Sequence, residues 1–162
     1  MGLWNIVVAV LIGMFISRLN VKENIIRNRL KSMREIADPT VGDEYGIESV
    51  EDIAELISGL RYESNDILDL IKDPRQTIAD GGGDCEDFAV LTYSMLLKLY
   101  YEGKVPTPHL AIAYSDESPE AHAFVYFYKD GVYHIFSNNQ YVKFSDLGEF
   151  LSEIDEEKLI VL

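Results

Sequence analysis

The chain has 162 residues, 48% hydrophobic and 26% charged, which excludes a disordered or fibrous protein and suffices for one domain with its own core. Its single cysteine, Cys85, excludes an internal disulfide framework and a multi-cysteine zinc site. The net charge of −14 is unevenly divided: residues 1–34 hold six basic residues against one acid, Glu23, and the rest hold eight against 27, a balance of −19 that repels phosphate backbones and argues against a nucleic-acid partner.

The first element is an apolar run, "LWNIVVAVLIGMFIS", at residues 3–17. A bilayer span needs about 20 apolar residues, with about 17 as the lower edge. Counting Gly2 and a snorkelling Arg18, this run reaches that edge. No basic residue precedes it and no small-residue cleavage site follows, so a retained membrane-anchoring helix is expected rather than a cleaved signal. Ile6 stands where a myristoylation signal requires Ser or Thr. The basic residues at 18–34 place the C-terminal domain on the cytoplasmic side. Leu19, Ile26, Leu30 and Met33 continue the helix as an amphipathic stalk, so residues 1–36 form anchor and stalk. The alternative is an assembly helix packed on other chains, as in a virion-associated protein. "ADPTVGDEYG", residues 37–46, reads as a linker, leaving 47–162 as the domain.

Within that domain, Ser49 caps a helix carrying Ile53, Leu56, Ile57 and Leu60. "SNDILDLIK" reads as a second short helix stopped at Asp73-Pro74, and "PRQTIADGGG" as a loop opening with a helical turn. Asp84 then caps a long helix from Cys85, with Glu86 and Asp87 in its first turn and a buried stripe of Phe88, Leu91, Met95, Leu96 and Leu99. Strands are expected over residues 109–114, 121–128, 132–136 and 141–144, the middle pair joined at Lys129-Asp130-Gly131. A last helix starts after Ser145 or Asp146. Helices followed by an antiparallel sheet make an α+β domain, with a core helix that starts at the cysteine.

The unpaired N–H groups at a helix start favour a thiolate, and the preceding glycines open the thiol to a substrate. Glu86 and Asp87 oppose this unless they are paired or point away. A reactive thiol also needs an imidazole. Among His109, His122 and His134, His122 is favoured, because it sits at a strand edge just past an acidic turn. Helix-start acids account for Asp84, Glu86 and Asp87 without a metal, since no EF-hand pattern surrounds them. No cofactor is implied.

"GGGDCEDFAVL", followed 37 residues after the cysteine by "HAFVYFYKDGVYHIFSNN", resembles the transglutaminase-like superfamily of papain-type cysteine enzymes, which includes bacterial and phage proteases. The resemblance covers roughly residues 50–144. It implies a papain-like core with Cys85 as nucleophile and His122 as general base and acid. It further implies an acidic or amide residue on the next strand. Aligned through Asp130-Gly131 without gaps, the family's Asp falls on Ser137. A two-residue turn puts Ser137 and Asn139 on the His122 face, whereas a three-residue turn pairs His122 with Asn138. Asn138 is the expected third residue, with Ser137 and Asn139 as alternatives. Gln76, Tyr62 and Ser137 are candidates for oxyanion or supporting roles.

The function expected is a membrane-tethered cysteine hydrolase acting on a peptide, isopeptide or glutamine amide through a Cys85 thioester. Its partners would be a peptide or protein substrate and, through residues 3–17, a membrane or assembly. The alternative is a catalytically inactive structural protein of the same fold in a phage virion or membrane complex.

Overall fold

The computed structural model describes residues 21–64 and 70–162. The apolar run at 3–17 lies outside the described residues, and no described helix is long and apolar enough to cross a membrane. In chain order the elements are α1, whose described part is residues 21–36, α2 (Thr40–Glu44), α3 (Val50–Ser58), β1 (Arg61–Tyr62), α4 (Pro74–Ala79), β2 (Gly82–Gly83), α5 (Cys85–Tyr101), β3 (His109–Tyr114), β4 (Ala121–Lys129), β5 (Val132–Ser137), β6 (Gln140–Phe144), α6 (Leu147–Glu153) and β7 (Lys158–Val161).

The long helix α5 starts where its cap dictates. The Asp84 carboxylate accepts the N–H groups of Glu86 and Asp87, and Asp87 reaches back to the Asp84 N–H, closing a capping box. From Asp87 to Leu99 nearly every residue is buried, so α5 is the central helix of the domain. It packs on one face of a five-stranded antiparallel sheet ordered β6-β5-β4-β3-β7. Ala123, Val125 and Phe127 of β4 face this helical layer. Phe124, Ala111, Ala113 and Ile135 face the other way, onto Phe150 of α6. The result is three layers: helices α1–α5, sheet, and α6.

The expected stalk and linker take a different form. Ile26, Leu30 and Met33 are buried in the same core as α5, and residues 40–44 coil into α2 with Val41 and Gly42 buried. The Asp38 N–H donates to Ser94 on α5 at 3.0 Å. An apolar stripe at helical spacing marks a buried face, and here the domain's own α5 buries it. The short helix expected in "SNDILDLIK" falls largely on residues 65–69, outside the described residues, while residues 70–72 have no regular structure. The two-residue pair β1–β2 and the C-terminal strand β7 were not anticipated.

Candidate active site

The glycine run positions Cys85 through close backbone contact. Gly82 and Gly83 pair in parallel with Arg61 and Tyr62. A Cβ on Gly82 would lie 1.9 Å from the Arg61 carbonyl oxygen, and one on Gly83 would lie 2.4 Å from the Asp87 carboxylate. Only glycine lets β1, β2 and the start of α5 come together this tightly. Asp87 is buried, accepts the Lys72 N–H at 2.8 Å, and lies 3.9 Å from the Lys72 ammonium. These contacts fix the first turn of α5 and with it Cys85.

Cys85 opens onto a cavity of about 580 Å3 whose wall includes Tyr62, Glu86, Ile112, Glu120 and Ala123. The Ala123 backbone N–H donates to the sulfur. Burial, followed by the Asp84 and Glu86 charges, pushes the thiol up to about 11. The thiolate expected from the helix start is therefore not the resting state, because burial and carboxylates outweigh the helix terminus. Glu86 does not face the thiol unpaired: Arg29 of α1 donates to both its carboxylate oxygens, at 2.7 Å from Nε.

His122 directly precedes Ala123 on β4. Its side chain lies on the opposite sheet face, stacked 6.3 Å from the Phe124 ring, at the end where β4 begins. It is no part of the cavity wall; it stands behind Ala121 and Ala123. Its Nε2 is 2.8 Å from Ser137 Oγ. Burial holds the imidazole below its ordinary value of 6.5, so it rests neutral at pH 7.

The third residue follows from strand register. Asp130 and Gly131 form a two-residue turn, both at positive φ, between paired Lys129 and Val132. That register sets Phe124 opposite Ser137 and puts Ser137 on the His122 face. Asn138, expected on His122, instead forms the β5–β6 turn at φ 52°, its Oδ1 buried without a hydrogen-bond partner. Asn139 donates to the Leu60 carbonyl at 3.1 Å, tying this turn to the chain just before β1. Tyr62 lines the cavity as a supporting residue would. Gln76 does not: it is exposed on α4 and donates to Asp80. His109 and His134 lie elsewhere, stacked on Tyr126 and Phe127 respectively.

Arg29, Glu120 and the Ala123 N–H were missed by sequence reasoning. Arg29 was read as part of a membrane-proximal basic run and Glu120 as part of a turn. No spacing rule marks either. Among the described residues, no group of three or more His, Cys, Asp or Glu side chains could hold a metal ion.

A cysteine at the opening of a central helix, set against an antiparallel sheet carrying a histidine, defines the α+β core of the transglutaminase-like class. The chain belongs to that family: the family described as a transglutaminase-like domain matches residues 21–161. No curated protein matches the chain. Among solved structures, calcium-bound LapG of Legionella pneumophila is 24% identical, covering 82% of this chain and 72% of that one, with a TM-score of 0.49. EGTA-treated LapG is likewise 24% identical, over 74% of this chain and 75% of that one, with a TM-score of 0.47. A candidate cysteine protease of Cytophaga hutchinsonii is 20% identical over 75% of this chain and 48% of that one, with a TM-score of 0.41.

Proposed function

We propose that the chain is a cysteine hydrolase that cleaves a peptide, isopeptide or glutamine amide bond, tethered to a membrane through residues 3–17 with its domain on the cytoplasmic side. The observation that carries the reading is the placement of Cys85. It lies in a cavity wall at the start of α5, its sulfur on the N–H of the residue next to His122. Family membership supports the chemistry, and the apolar and basic runs of the first 34 residues support the tether.

Ser137 engages Nε2, which leaves Nδ1 of His122 for proton exchange with the thiol, and for that exchange the ring turns round the start of β4 from the sheet face on which it rests. With Nδ1 as base, Nε2–H donates to Ser137 Oγ, which fixes the tautomer. The S–H proton passes to Nδ1 as sulfur attacks the carbonyl carbon. The Cys85 N–H at the start of α5, which in the resting site engages its own sulfur, turns to the oxyanion and stabilises it. The imidazolium then protonates the departing amine, leaving a thioester. Water, deprotonated by His122, resolves the thioester to a carboxylate and restores the thiol. An amine in place of water gives transfer.

The raised thiol and the uncharged Ser137 favour a second reading, an inactive domain retained for its shape. An activated ester separates the two. With p-nitrophenyl acetate the hydrolase should release a burst of one p-nitrophenolate per chain and gain one acetyl on Cys85. Both should vanish in Cys85→Ala, and the burst rate should fall about 100-fold in His122→Ala. A burst no faster than that of a free-cysteine peptide leaves the inactive reading standing.

A further inference from the structure

A second cavity, about 640 Å3, adjoins the first. The two share Glu86, Ile112, Pro119 and Ala121, so they form one trough from Tyr62 past Cys85 to α1. At the α1 end its wall includes Val21 and Ile25, both largely exposed. The two lobes together exceed the volume of one side chain, and the second offers apolar surface in a wall that does not include Cys85, which suits an extended polypeptide.

Around Cys85 the wall carries three carboxylates, Asp84, Glu86 and Glu120, and neither Lys nor Arg. Two of the three are committed. Asp84 caps α5, and Glu86 is held by Arg29. Glu120 is exposed, and no hydrogen bond or ion pair engages its carboxylate among the described residues; only its backbone N–H is used, on Ser118 Oγ at 3.1 Å. It is the carboxylate in the wall left to meet a ligand.

We propose that the trough binds an extended polypeptide substrate and that Glu120 selects a lysine or arginine side chain beside the bond presented to Cys85. This rests on the cysteine-hydrolase reading, and its test does not need turnover. Cys85 is the only cysteine, so thiol reagents report on this site alone. The rate ratio for cationic 2-aminoethyl over anionic 2-sulfonatoethyl methanethiosulfonate should exceed that of a free-cysteine peptide. Glu120→Gln should lower the ratio about tenfold and Glu120→Lys about 100-fold, because a unit charge roughly 6 Å away in water shifts each reagent about threefold and the two in opposite directions. Glu153→Gln, on exposed α6 surface, should leave it unchanged. Acetyl-Gly-Ser-Lys-Gly-Ser-amide should protect Cys85 from labelling better than the same peptide with Glu for Lys, and better than n-butylamine. An unchanged ratio in both Glu120 variants, or equal protection by the two peptides, overturns the assignment. Butylamine protecting as well as the lysine peptide overturns the polypeptide and points to an amine site. If the ester burst holds and the charge preference fails, only the substrate class falls. If the burst fails, the assignment falls with the hydrolase reading.

Discussion

Two histidines of the sheet each meet a hydroxyl, and the difference between them shows what makes a candidate site. His122 uses Nε2 on Ser137 at 2.8 Å, and His134 uses Nδ1 on Tyr141 at 2.5 Å. Burial lowers both imidazoles. His134 also lines a cavity, of about 420 Å3, and stacks 4.6 Å from the Phe127 ring. What it lacks is a nucleophile. Ser49, in the same cavity wall, spends its oxygen capping α3 by accepting the Asp52 N–H. His122 lies one residue from the N–H that meets the Cys85 sulfur. Burial and a hydroxyl partner are therefore ordinary features of a packed histidine, and what sets His122 apart is the helix start that meets its own strand at the next residue.

Replacing each histidine breaks this comparison most sharply. His122→Ala should reduce the Cys85-dependent ester burst by about 100-fold, the lower end of the usual worth of a positioned base. His134→Ala should leave the burst within about twofold and instead lower the urea midpoint, because a ring packed on Phe127 and Tyr141 is lost. Equal losses of activity in the two variants would mean that the sheet, not the His122 ring, is what the burst measures.

The next effect concerns the helical half of the site. Asp87→Ala removes a buried acceptor for the Lys72 and Asp84 N–H groups and opens the capping box of α5. Two half-buried donors without partners should cost about 2 kcal/mol of stability, read from chemical denaturation. A midpoint equal to wild type would show that Gly83 and its neighbours hold α5 without this carboxylate.

The two halves were unequally legible in the sequence. Capping chemistry is local, so Ser49, Asp84 and Asp146 all stand where the sequence places a helix start. Strand β3 begins and ends at the expected residues, and the hairpin turns at Asp130-Gly131. Partnership across elements is not local. The stripe Ile26, Leu30, Met33 looks the same whether it covers its own domain or extends as a stalk, and only the fold shows it against α5. One residue of turn length separates Ser137 from Asn138 as the partner of His122, and Asp130-Gly131 fits either length. β1 has only two residues and is held to the glycines by backbone alone, so no side-chain pattern announces it.

The smallest effect tests the register itself. Ser137→Ala leaves Nε2–H of His122 without its partner and should slow the burst about tenfold, in line with one hydrogen bond that orients a ring. Ser137→Asp is the more informative change. In the wild type the imidazole titrates below 6.5, so the neutral base is present at pH 7 and activity should fall only on acidification below that value. A carboxylate at position 137 stabilises the imidazolium and raises this value. The acid limb of the pH–rate profile should therefore move to higher pH in Ser137→Asp, and the same substitution at Asn138 should leave it in place. A limb that moves with position 138 instead would restore the three-residue turn and displace Ser137 from the site.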